Sequence, residues 1–177
     1  ALKAGYAYRQ QHFHAQRGNW IKLDWGLYRL RDFPATEHED LIRWSLWSRN
    51  KKGNPQAVVS HDTALALHEL GDLMPGRIHL TVPPAFRKEI SGGCVIHKSR
   101  VGESGMERRD GFFVTSPLRT LLDEADSDLS PEHLNAAVRD ALSRGLVRQD
   151  QLLNANLSKD AGRRIKDAIE SFEETAH

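Results

Sequence analysis

Four histidines in the middle of the chain, His61, His68, His79 and His97, are the side chains best equipped to hold a metal ion or carry a proton. Imidazole does both near neutral pH. Their spacing along the sequence argues against a shared site. His61 and His68 lie two helical turns apart, roughly 10 Å, whereas a zinc-protease helix places its ligands at i and i+4 with a glutamate between them. The pair therefore reads as structural, in helix-capping and core-edge roles. Ser60, His61 and Asp62 have the residue types of a hydrolase relay, but adjacent side chains cannot line up as one, and the glycines of a nucleophile elbow are absent. Asp123, Glu124 and Asp126 are near enough in sequence to suggest magnesium-assisted phosphate chemistry. Asp123 and Asp126 flank an apolar helical stripe, however, and no strand-borne acid with a nearby lysine completes the centre. The cluster reads as a solvated helix end. Gly92-Gly93 and the loop from Gly102 to Gly105 lack the lysine and threonine of a phosphate loop. The expectation is no catalytic residue, no metal ligand, no cofactor and no enzymatic activity, with a metal-dependent nuclease as the enzymatic rival.

Phosphate recognition is the chemistry the charge distribution favours. The chain has 177 residues and a formal charge of +1, which hides a split. Residues 1 to 31 carry Lys3, Arg9, Arg17, Lys22, Arg29 and Arg31 against Asp24 alone, a charge of +5; the remaining 146 residues carry 19 basic and 23 acidic groups, a charge of −4. A cationic head on a weakly acidic body suits a polyanionic partner. Within the head, Ala7 to Arg17 is free of breakers and predicts a three-turn helix stopped by Gly18 and Asn19. Trp20, Leu23, Leu27 and Leu30 then sit around the turn Asp24, Trp25 and Gly26, which predicts a short hairpin. Helix followed by hairpin is the second half of a winged helix-turn-helix. Its recognition helix would present Tyr8, Arg9, Gln10, His12, Phe13, Gln16 and Arg17 to base edges and phosphates, and Lys22 and Arg29 would flank the wing.

The elements behind the head make an α+β body. Pro34 and its neighbours place a boundary after the hairpin, giving a partial winged helix-turn-helix domain over 1–33 and an α+β domain over 36–177. Leu41, Ile42, Trp44, Leu46 and Trp47 form the apolar stripe of a helix over Glu37 to Asn50. Ser60 is placed to cap a helix ended by Gly71. Three short strands are expected: Arg77 to Val82, where apolar and polar residues alternate, Cys94 to His97, and Phe112 to Thr115. Ser116-Pro117 and Ser130-Pro131 each start a helix; the second carries the stripe Leu134, Ala137, Val138, Ala141 and Leu142 and closes at Gly145. A short helix from Arg148 and a last one from about Ser158 complete the body. Cys94 is the single cysteine, so no internal disulfide can form. No apolar run approaches the roughly 20 residues of a membrane helix, and no cleavable leader is visible at Ala1. A cytoplasmic protein without membrane contact is expected.

Several stretches of the chain resemble the AbiEi-type antitoxins and transcriptional regulators of bacterial type IV toxin–antitoxin systems. VVSHDTALALHELG from Val58 to Gly71, RIHLTVP from Arg77 to Pro83 and VTSPLRTLLDEA from Val114 to Ala125 are the most specific, and their order and spacing also match. At the front, AGY, RGNW and GLYRL (Ala4 to Tyr6, Arg17 to Trp20, Gly26 to Leu30) resemble that family's recognition helix and wing. The resemblance implies an autorepressor whose winged helix binds inverted repeats in its own promoter DNA. It also implies a body that counteracts a nucleotidyltransferase-like toxin without a stable complex. The alternative is a protein-interaction module in which the basic head is incidental. The chain departs from the family in having Ala7 where a serine or threonine usually opens the recognition helix, a cap worth about 1 kcal/mol. The family's first helix would lie before Ala1.

Overall fold

The computed structural model describes residues 8–24, 27–32, 37–89 and 92–175. It is a mixed α+β fold with seven α-helices and two separate sheets among the described residues. The head consists of α1 (Tyr8–Gln16) and an antiparallel pair, β1 (Trp20–Asp24) and β2 (Leu27–Leu30). Trp20 faces Leu30 and Lys22 faces Tyr28 in the ladder, and the register slips between Lys22 and Asp24. The expected turn residues Trp25 and Gly26 and the boundary at Phe33 to Thr36 lie outside the described residues, as does Ala7. What holds helix to hairpin is an aromatic stack: His14 lies on Trp20 with ring centroids 5.1 Å apart, and Trp20 meets Tyr28 at 5.7 Å.

The body is built on a five-stranded sheet in the order β5-β4-β3-β7-β6. Its strands are β3 (Val58–Val59), β4 (Ile78–Val82), β5 (Cys94–Lys98), β6 (Met106–Arg109) and β7 (Phe112–Thr115). Pairing is parallel for β4 with β5 and for β3 with β7, and antiparallel elsewhere. Two of these strands, β3 and β6, were not expected. β3 is only two residues long and β6 reads MERR, so neither carries enough alternation to register as a strand; tertiary pairing makes them. One face of the sheet is apolar. Ile78, Leu80 and Val82 of β4, Cys94 and Ile96 of β5, and Val114 of β7 join Leu41 and Trp44 of α2 (Glu39–Trp47) in one core cluster.

A second cluster holds the helices together. It joins α3 (His61–His68), α4 (Pro117–Ala125), α5 (Pro131–Ser143), α6 (Gln149–Leu153) and α7 (Lys159–Thr175) through Leu65, Leu121, Leu134, Val138, Leu152 and Ile165, each at most 1% exposed. At about 1.5–3 kcal/mol for each fully buried aliphatic side chain, this cluster supplies the larger driving force for the body. Ser116 and Ser130 cap α4 and α5 as their Ser-Pro pairs predict, accepting from the backbone N–H of Arg119 and His133. Helix α3 ends differently from expectation. Gly71 does not stop it; Glu69 takes the left-handed cap position with φ 54°, and Gly71 N–H instead donates to Asp140 Oδ2 at 2.8 Å. No described helix is long and apolar enough to cross a membrane.

Candidate functional site

The polar face of the sheet opens into a cleft of about 650 Å³. Strand alternation creates it: with Leu80 and Ile96 turned to the core, the opposite phase of β4 and β5 sends His79, Thr81, Val95, His97 and Ser99 to the cleft wall. In the parallel ladder His79 pairs with Val95 and Thr81 with His97. The two histidines are therefore diagonal neighbours on one face, and His97 Nε2 approaches His79 Nδ1 to 3.3 Å.

The third imidazole arrives from the start of α3. Between β3 and α3 the chain turns sharply, and His61 takes φ 52°, a left-handed conformation uncommon for a residue with a side chain. Such backbone costs on the order of 1–3 kcal/mol and persists where neighbours over-determine it. The turn stacks the His61 ring on His97, with centroids 3.5 Å apart and planes 12° from parallel. Ser60 occupies the N-cap position, but its hydroxyl makes no cap bond. This corrects the capping role expected for it. Its oxygen instead takes a hydrogen bond from Thr81 Oγ1 at 2.8 Å and lies 2.9 Å from His61 Nδ1.

The rest of the cleft lining is rich in acids. Asp62, Asp123, Glu124, Asp126 and Asp128 all line it. Asp62 Oδ2 stands 3.7 Å from His79 Nε2. Asp123 is held by Arg119 at 2.8 Å, and Asp126 accepts from Ser158 Oγ at 2.7 Å. The helix end expected to be solvated is not so: Glu124 is 0% exposed. Its Oε2 accepts from Ser127 Oγ at 2.6 Å, and the carboxyl also shares a hydrogen bond with Asp62. Burial chiefly, with the hydrogen bond to Asp62 and then the Asp62 and Asp123 charges adding to it, pushes the Glu124 carboxyl up to about 8. It is a neutral acid at physiological pH, and a buried one. Arg164 fixes the loop after α4 by donating to the carbonyls of Ala125, at 2.9 Å, and Leu129.

Electrostatics on the histidine side run the opposite way. Burial first, then His97, His79 and Arg119, drive His61 down to about 3. His79 and His97 are also lowered by burial, against a smaller raising effect from Asp62. In all three rings the shift favours the neutral imidazole, which keeps one nitrogen lone pair. His68 is elsewhere: its Nε2 lies 2.7 Å from the Thr115 carbonyl oxygen and its Nδ1 3.3 Å from Arg109 Nη2, a structural histidine as expected.

Spacing along the chain hid this site. The helical pair His61 and His68 does lie apart, but the relevant partners of His61 are on strands. The legible signal was the polar phase of Arg77 to Val82 and of Cys94 to Lys98, where a histidine falls at the same pleat in both. The serine and histidine at Ser60-His61 do form a hydrogen bond, although with Ser60 buried and Asp62 turned to His79 they do not form a hydrolase relay.

The residues expected to touch DNA have a different standing. Gln10, Phe13, Gln16, Arg17 and Lys22 are exposed on the head. Phe13 is 47% exposed, and the Arg17 guanidinium sits 4.5 Å from its ring centroid. Arg29 is paired with both oxygens of Glu39, at 2.9 and 3.1 Å. The pair ties the hairpin to α2. The side chains of Tyr8, Arg9 and His12 lie outside the described residues. No protein-family model matches the chain, and no curated protein matches it.

Proposed function

We propose that the protein is a DNA-binding transcriptional repressor that also serves as the antitoxin of a bacterial type IV toxin–antitoxin system. In this reading it acts in the cytoplasm. The observation that carries it is the head: a helix exposing Gln10, Phe13, Gln16 and Arg17, followed directly by a two-stranded hairpin exposing Lys22, within a segment of charge +5. A helix of this length fits a major groove and a hairpin reaches along the flanking backbone. Arg17 and Lys22 supply phosphate contacts that position the head, and the glutamines and Phe13 reach base edges. The weakly acidic body adds no phosphate attraction, so affinity rests on the head and falls steeply as salt rises. The antitoxin part rests on the motif likeness to AbiEi-type regulators. Its counterpart is a nucleotidyltransferase-like toxin, neutralised without a stable complex.

The test is a gel-shift titration of the chain against the DNA upstream of its own gene, at 50 and 200 mM salt. Sequence-selective retardation that weakens with salt supports the reading. No shift at the lower concentration removes it and leaves the protein-interaction module, and magnesium-dependent cleavage of the same DNA promotes the nuclease.

A further inference from the structure

The geometry points to a transition-metal site of the zinc class at His61, His79 and His97, in which the three imidazoles hold the ion and its remaining position opens on the acidic cleft. One ring nitrogen from each histidine lies within 4.8 Å of the other two. His97 Nε2 and His79 Nδ1, 3.3 Å apart, already have the separation of two ligands on one ion: nitrogens bound at 2.0–2.1 Å and at the tetrahedral angle are about 3.3 Å apart. The outer contacts set the rings for the task. Asp62 stands at His79 Nε2, the nitrogen left over when Nδ1 binds, which is the carboxylate–histidine arrangement that fixes a ligand's tautomer. Ser60 lies at His61 Nδ1 and leaves Nε2 for the ion. Three nitrogen donors without thiolate or a full carboxylate set suit zinc, cobalt or nickel and not magnesium or calcium.

One further observation points to a ligand. His61 is held in left-handed backbone at this spot, a strain of the kind that clusters at binding and active sites. One rearrangement is required. The His61 and His97 rings are stacked 3.5 Å apart, so an ion cannot lie in both ring planes until His61 tilts away. Loading therefore unstacks this pair.

Titration of the untagged, chelator-stripped chain with cobalt(II) and zinc(II) tests the assignment. One equivalent of cobalt should bind, with visible absorption of tetrahedral intensity that zinc bleaches, while magnesium has no effect. His79→Ala and His97→Ala should each lose the band, Asp62→Asn should weaken binding about 10- to 100-fold by releasing the His79 ring, and His133→Gln should change nothing. In the wild-type chain, zinc should shift the ring-proton resonances of His61, His79 and His97 and spare His68, a readout that needs no variant to fold. Absence of zinc binding at millimolar concentration, or binding that survives in His97→Ala, overturns the site. The outcome is independent of whether the head binds DNA.

Discussion

His79 and His97 lie on adjacent parallel strands, offset by two residues in register, and bring Nδ1 and Nε2 to 3.3 Å on the polar face of the sheet. That contact exists only because Leu80 and Ile96 are committed to the opposite face. Packing of the core thereby dictates the geometry of the cleft. A polar substitution at Leu80, such as Leu80→Asn, should disturb both, and so lower cobalt uptake together with thermal stability. Uptake unchanged in a destabilised variant would show that the two faces are not coupled.

The two arginines of the head that look alike in sequence should behave differently. Arg17 is exposed beside Phe13, whereas Arg29 is clamped by Glu39 between the hairpin and α2. Arg17→Ala and Lys22→Ala should each weaken DNA binding and reduce the salt dependence by about one phosphate contact, with stability changed by less than about 0.5 kcal/mol. Arg29→Ala should leave the salt dependence alone and loosen the head, measurable as faster proteolysis after residue 30. Equal salt slopes for Arg17→Ala and wild type would move the phosphate contacts elsewhere.

Much of this architecture is legible in residue patterns. The α4 and α5 starts follow from their Ser-Pro pairs, and the stripe from Leu134 to Leu142 identifies the helical core, with Leu134, Ala137, Val138 and Ala141 all at 1% exposure or less. The fate of Arg29 was not legible, because Glu39 lies across a stretch whose path no local rule sets. The cleft was hidden for a similar reason. His61, His79 and His97 are brought together by strand order β4-β5 and a left-handed turn at His61, neither of which leaves a mark on spacing. Glu124 sits beside Asp123 and Asp126 in a run that looks like any helix end, and only the packing of α4 against α3 and α7 turns its side chain inward.

Glu124 makes stability depend on pH in an unusual direction. Its carboxyl is raised to about 8 in the folded protein by burial and by Asp62 and Asp123, against an ordinary value of 4.5. The folded state thus holds a proton that the unfolded chain has lost. The resulting stabilisation is fully present below pH 4.5 and disappears as the pH rises through about 8. Glu124→Gln, which keeps the neutral shape, should flatten the decline between pH 5 and 8. A wild-type melting temperature that rises over that interval, with no difference in the variant, would contradict the buried proton.

His68 acts in the opposite sense. Burial lowers its pKa from 6.5, partly offset by its hydrogen bond to the Thr115 carbonyl. The folded state resists protonation that the unfolded chain accepts, so its contribution is present above pH 6.5 and is lost as the pH falls toward the lower folded value. His68→Gln retains a donor for Thr115 and cannot titrate. Its acid-unfolding midpoint should therefore lie at lower pH than that of wild type after normalising for stability at pH 7.5. Coincident acid profiles would mean that His68 is already protonated in the fold.

The helical core provides the sharpest structural test, because its failure would remove the frame that positions Asp123 and Glu124. Val138 is 0% exposed at the centre of α5 and packs in the cluster formed by α3, α4 and α7. Val138→Asp places an ionisable group where no partner can reach it, and the loss should exceed about 4 kcal/mol, enough to unfold a domain of ordinary stability. Val138→Ala, which removes two methyl groups and leaves a small void, should cost about 2 kcal/mol and remain folded. Chemical denaturation followed by circular dichroism separates the two. A folded Val138→Asp protein with an unchanged midpoint would require that this face of α5 meets water, and the cleft could not then be closed on its acidic side by α4.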